Sequence, residues 1–450
     1  MNVLEYLASI GFNDPVIISL FLIAVMGVGL QWIAQLKKIP GIVLLLPAGI
    51  FFGAYLGLIE PEKIFGESFY TLVTLGVGFL LFSGGLSLDF SKLRNEERNV
   101  IRKLIPINTL LTLVFGTIVI MIIFSLNLLN SMLIAALLVV SGPTVVGPIL
   151  EYAKPNKKLC NIAQWEAIIT DPLGAILSVL ILYGIIIIYA PNEVLYSASS
   201  PFNSVTNVFL QHTIFQSINI KSFLLNDLFL TAIIGIVVGV LVGLLFAIMY
   251  TRGIQKNLIN DKFHILVLWM LVVAAVLIGE ILFPEAGLFA ALTIGVFIGN
   301  TNAKQSFLTR KLNEFIEPLI IGILFIVLAS LVDIAHLIKY LVPSILLVLC
   351  YVFIVRPLIV SIVTYRNNFT LKEKMFLGFM HPRGIVAAAS ASLFALKLYN
   401  SGLYIPELVP VVFIVILGTV IIYGIFNPIL TRKLGLSENV CYADSYLFDE

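Results

Sequence analysis

The chain has 450 residues, 60% of them apolar and only 12% charged, about half the charged share of a globular domain. Its mean hydropathy of +1.07 is spread over apolar runs of roughly twenty residues that recur from end to end, which excludes a soluble domain and a single-anchor protein. Net charge is +2, with no polybasic tail for nucleic acid, and the three cysteines, Cys160, Cys350 and Cys441, suit neither a disulfide framework nor a zinc spacing.

In chain order the apolar runs predict about thirteen helical spans, near 15–34, 41–58, 69–90, 104–125, 131–150, 162–190 and 228–251, then 264–282, 286–300, 314–332, 341–363, 375–396 and 408–430. The first run has no basic region before it and reads as a retained helix rather than a cleaved signal. The expected fold is an all-α polytopic membrane protein.

Lysine and arginine orient these spans, because basic residues gather in cytoplasmic loops. They fall in alternate loops, at Lys37 and Lys38, from Lys92 to Lys103, from Lys154 to Lys158, from Arg252 to Lys262, from Lys304 to Lys311, from Arg366 to Lys374 and at Arg432 and Lys433. Lys63, Lys221, Lys339 and Lys397 fall on the other face, and Arg356 and Arg383 within spans. An odd number of crossings follows, with the N-terminus outside and the C-terminus cytoplasmic. The segment from 191 to 227 is nearly uncharged, external and weakly amphipathic near 208–218; it is read as a linker, with a surface helix as the alternative.

A charge at the bilayer centre costs on the order of 3 kcal/mol, so charges deep in a span should be paired or functional. Four stand out: Glu166 and Asp171 in the sixth span, Arg356 in the eleventh and Arg383 in the twelfth. Asp171 lies roughly 20 Å along the helix from Lys158, near mid-membrane, at about 1.5 Å per residue. Glu166 is shallower and about 140° round the helix from it, so the two carboxylates should not face the same partner. Among His212, His264, His336 and His381, only His381 lies beside these groups in sequence.

The fifth span carries SGPTVVGP at 141–148 and the twelfth HPRG at 381–384. Pro143, Pro148, Pro382 and Gly384 interrupt apolar helices there, either as plain proline kinks or as unwound backbone covering an ion site. Spans one to six and eight to thirteen form two repeats joined by the seventh, the second inverted, with a break at the fifth element of each. That arrangement points to a transporter site at the midplane. The division is 1–190 for the first six-helix repeat, 191–263 for the external loop and linking helix, 264–431 for the second repeat and 432–450 for a short tail.

These residues resemble the sodium/hydrogen exchanger family of monovalent cation/proton antiporters, of the prokaryotic type without a C-terminal regulatory domain. FSGGLSLDFSKLR at 82–94 resembles its third-span pattern, and Ser141, Gly142 and Pro143 its fifth-span Thr-Asp-Pro break. The run from Glu166 to Asp171 resembles its sixth-span motif, and Arg383-Gly384 its twelfth-span Arg-Gly. The resemblance implies that Asp171 binds either a cation or a proton, and that Glu166 pairs with Arg383, with Arg356 as second candidate. It also implies a homodimer in the plasma membrane. The chain departs from the family at Gly142, Ser83, Ala167 and Thr170, where oxygen donors are lost or shortened.

The resulting expectation is a transporter, not an enzyme, that exchanges sodium, potassium or lithium for protons by alternating access and serves pH homeostasis. Asp171, Thr170, Thr144, Gly142 and Ser83 are the candidate cation ligands. With Glu166 locked to an arginine, one cation exchanges for one proton and no net charge moves. No cofactor is called for, and the partners are the ions and the bilayer. The alternative is a sodium-coupled symporter for an organic anion, which needs a larger polar cavity.

Overall fold

Hydrocarbon offers no partner to a backbone amide, so a chain this apolar has to satisfy its peptide groups inside helices. The computed structural model describes residues 15–437 apart from 89, 91–93, 190–227, 257, 260–262, 302 and 366–368, and its regular elements are helices. The expected linker at 191–227 and the tail beyond 437 lie outside the described residues.

The helices are α1 (Pro15–Lys37), α2 (Ile42–Gly49), α3 (Phe69–Ser87), α4 (Asn95–Phe124), α5 (Leu128–Leu137), α6 (Pro143–Ala153) and α7 (Lys157–Tyr189). The second half holds α8 (Leu228–Gln255), α9 (His264–Leu282), α10 (Ala286–Thr301), α11 (Ala303–Ala329), α12 (Ile334–Cys350), α13 (Arg356–Val363), α14 (Leu371–Gly378), α15 (Ile385–Asn400) and α16 (Leu408–Leu434). Among the described residues eight helical runs are long and apolar enough to cross a membrane, and shorter apolar helices accompany them; together they fall on the expected spans in order. Large apolar side chains such as Phe21, Ile122 and Val342 remain exposed on the outside of the bundle, as a lipid-facing surface requires.

Two groups of helices carry most of the packing, and a shared core joins them where α3, α8 and α11 meet α6, α7 and α15. In one, α10 lies between α3, α8 and α9, and α11 packs on α1, α2 and α3. Gly27 of α1 meets Gly322 of α11 so closely that a Cβ on either would strike the other's backbone, the close approach that small residues permit between membrane helices. In the other group α4 packs on α5, α7 and α13, while α16 covers α6, α12 and α15.

Proline explains where helices bend or stop. Pro357 lacks the N–H that would bond four residues back, and the run from Ile334 to Val363 widens into a π turn, Tyr351–Val355, just before it. Pro143 stands at the first position of α6, which separates α6 from α5, and α14 ends at Gly378, well before α15 begins. The fifth and twelfth spans are therefore discontinuous helices. Cys350 on α12 is a free thiol.

Candidate functional site

The two breaks cross. A Cβ on Gly142 would lie 2.7 Å from the Gly384 Cα, and one on Gly384 would lie 2.4 Å from the Gly142 Cα, so the unwound segments touch backbone to backbone. Ser141 ties them together by donating its hydroxyl to the Pro382 carbonyl at 3.1 Å. Just beyond the crossing α6 and α15 begin, so both present the positive ends of their dipoles there.

Carbonyls released by the second break have side-chain partners. Arg356 donates Nε to Leu377 O at 3.2 Å and Nη2 to Met380 O at 3.3 Å, and the Asn427 amide donates to Phe379 O. The same guanidinium grips Glu166 through both oxygens, Nη1 to Oε1 at 2.6 Å and Nη2 to Oε2 at 2.8 Å, with both side chains almost wholly buried. The partner of Glu166 is thus Arg356, not Arg383, which the family pattern put first. Arg383 is buried beside the first break, donating its backbone N–H to the Thr419 hydroxyl at 3.3 Å and Nη1 to Val139 O at 3.5 Å.

Asn108 on α4 extends this network. Its Oδ1 accepts from Arg356 Nη1 at 3.0 Å and from the Thr112 hydroxyl at 3.2 Å, which assigns its other atom, Nδ2, as the donor facing His381 Nε2 at 3.3 Å. His381 Nδ1 lies 3.8 Å from Glu166 Oε1.

Asp171 sits at mid-length of α7, only 2% exposed, and its Oδ1 has no hydrogen-bond partner. Gly174, three residues on and so on the same helix face, packs against the first break, where a Cβ would lie 3.0 Å from the Val140 nitrogen. The Asp171 face of α7 therefore looks toward the unwound backbone. Thr170 donates its hydroxyl to Glu166 O at 2.8 Å within its own helix, leaving oxygen lone pairs as its free acceptor capacity. Thr144 is 8% exposed with its hydroxyl unpartnered, and a Cβ on Gly142 would lie 3.4 Å from it.

A cavity of about 1040 Å³ leads to Thr144 from the face where Lys38, Lys154 and Arg432 are exposed. Pro148 and Glu317 share its wall. Ser83 on α3 does not bond to the residues of the crossing; its hydroxyl donates to Glu317 Oε2 on α11 at 2.8 Å. Asn108 and Glu317 escaped sequence reasoning, although an Asn inside the apolar fourth span and a Glu next to Pro318 at the head of the tenth were visible signals.

A family model described as "Sodium/hydrogen exchanger, transmembrane" matches residues 17–433. Among curated proteins the chain is 26% identical over 446 residues to Na(+)/H(+) antiporter 1 of Methanocaldococcus jannaschii, covering 95% of this chain and 93% of that protein. It is 24% identical over 395 residues to the probable Na(+)/H(+) antiporter 2 of the same organism, covering 84% and 83%. The solved structure of the sodium proton antiporter MjNhaP1 from that organism at pH 8 superposes with a TM-score of 0.73 at 22% identity, over 94% of this chain and 99% of that one, which shows the shared fold.

Proposed function

The chain belongs to the sodium/hydrogen exchanger family, and from that we propose that it is a sodium/proton antiporter with Asp171 as the shared site of cation and proton. The observation that carries this reading is the pairing pattern of the two carboxylates on α7. Glu166 is neutralised by a bidentate arginine, whereas Asp171, equally buried, keeps an oxygen without a partner on the face turned to the crossed breaks. A buried polar atom left unsatisfied is costly unless a ligand completes it, and a cation and a proton are the two ligands that a carboxylate oxygen takes.

The cycle follows from that competition. A cation entering from the basic face reaches Asp171 past Thr144, and the oxygens of Thr144, Thr170 and the loosened backbone near Gly142 supply the donors a hard cation requires. Binding displaces the proton. Movement of one helix group against the other around the crossing then exposes Asp171 to the opposite side, where the exchange reverses. Because Glu166 is held by Arg356, one carboxylate carries one positive occupant in either direction and the exchange moves no net charge. The repeats 1–190 and 264–431 provide the two breaks, the basic face is cytoplasmic, and the protein works as a plasma-membrane homodimer. Potassium and lithium are the competing substrates.

Purified protein in vesicles with an internal pH dye and an imposed proton gradient tests this. Sodium-dependent dissipation of the gradient that is lost in D171N, with both proteins folded and inserted, is the expected result, and potassium and lithium in turn define selectivity. Wild-type protein that responds to none of the three cations would refute antiport. A response that survives D171N would refute the assignment of the site, and a stoichiometry above one proton per cation would refute electroneutrality.

A further inference from the structure

The cavity on the basic face has an acidic wall position that the exchange site does not use. At its rim Lys38, Lys154 and Arg432 are exposed, with Glu151 the exposed acid among them. Half-buried Glu317 lines the wall, as does Thr144, which is 92% withdrawn from solvent and whose unpartnered hydroxyl is buried beside Gly142. A cation that passes this basic rim needs a carboxylate before Thr144, since the mean potential of the mouth opposes it.

The geometry points to a second, cation-binding site at Glu317, with Ser83 and Gln31 as its other oxygen donors, upstream of Asp171. Ser83 gives its only proton to Glu317 Oε2, 2.8 Å away, so its hydroxyl oxygen keeps lone pairs for a ligand shared with that carboxylate. Gln31 also lines the cavity, and its Nε2 donates to the carbonyl of Pro318, the residue after Glu317, which leaves its amide oxygen as an acceptor. A carboxylate, a hydroxyl and an amide oxygen from three helices, α11, α3 and α1, form a donor set for a hard monovalent ion that retains part of its water. Glu317, Ser83 and Gln31 stand on α11, α3 and α1, with α11 packed on both of the others, whereas Asp171 stands on α7, which α3 touches where Gly84 meets Ile168. An ion held at Glu317 is passed from α11 and α3 to Thr144 on α6 and Asp171 on α7 as it moves on.

This inference rests on the antiport reading, and the test separates the two. Sodium binding to detergent-purified protein is followed by calorimetry and by thermal unfolding, which a ligand raises by mass action. D171N is expected to keep a sodium-dependent stabilisation that D171N/E317Q loses. In vesicles E317Q is expected to raise the KM for sodium about tenfold, the signature of lost cation binding. S83A, which leaves the charge in place, is expected to raise it about threefold and keeps the question open to measurement if E317Q is not recovered as monodisperse protein. Equal sodium binding by D171N and D171N/E317Q, or an unchanged KM in both E317Q and S83A, overturns the second site. Should wild-type protein show no exchange at all, the antiport reading fails while the binding comparison still decides Glu317.

Discussion

Arg356 holds Glu166 by two parallel hydrogen bonds, 2.6 and 2.8 Å long, and with its remaining donors reaches Leu377 O, Met380 O and the Asn108 amide. One guanidinium thus neutralises the carboxylate on α7, closes the open end of α14 and fastens α4 to both. Its planar fork of donors is what allows this, and lysine offers no equivalent geometry.

Removing one partner of such a buried pair strands the other charge, at a cost of about 3 to 5 kcal/mol. R356A is therefore expected to lower unfolding stability in detergent by about that amount. Pairing it with E166L should recover a part, because the orphaned carboxylate is then gone, while the exposed carbonyls of Leu377 and Met380 prevent full recovery. Equal stability of R356A and the double variant would show that the ion pair is not what Arg356 contributes.

Substitution at the crossing should act on transport in proportion to backbone contact. G142A puts a methyl 2.7 Å from the Gly384 Cα, and backbone cannot rotate away. The sodium-driven exchange rate is expected to fall at least about tenfold, a barrier increase of about 1.4 kcal/mol. G29A on α1 meets nothing within 4 Å and should leave the rate unchanged. Similar rates for the two variants would remove the crossing from the mechanism.

Asn108 contributes by position alone, since it carries no charge. N108L keeps the volume and removes the acceptor shared by Arg356 and Thr112 and the donor to His381. Loss of a hydrogen bond to a charged group costs about 1.5 to 3 kcal/mol, and the unfolding free energy is expected to drop by that much. N108D, which keeps Oδ1, should retain more stability than N108L; the reverse order would contradict the assigned amide orientation.

On the face opposite the basic loops Asp333 caps α12, accepting from the Ala335 N–H at 2.9 Å, and lies 2.5 Å from His336 Nδ1. The hydrogen bond from His336 holds its carboxyl below the ordinary value. A lowered folded value means that the native state favours the charged form, so this contribution is present above the unfolded pKa and is lost as pH falls through the folded one. D333N should therefore be less stable than wild type at neutral pH, and the gap should close below about pH 4. A gap that stays constant down to pH 3 would show that the charge contributes nothing.

Much of the architecture was legible in one dimension because its cause is one-dimensional. Apolar length defines a span, alternate basic loops define a face, and a proline removes a specific N–H, so the helix breaks at Pro143 and before Ile385 were readable from residue type and spacing. Asp171 and Glu166 were singled out on the same ground, as charges too costly to leave in hydrocarbon without a reason.

What those charges meet was decided only by the packed structure. Arg356 and Arg383 are equivalent by sequence, each an arginine in an apolar span; the π turn ahead of Pro357 and the packing of α13 on α4 bring the first to Glu166, while the second turns to the carbonyl of Val139. Ser83 likewise finds Glu317, on a helix far along the chain, rather than the crossing. Helix identity follows from local hydropathy, but the partner of a buried group depends on helix rotation and on contacts between distant segments, which periodicity within one span does not encode.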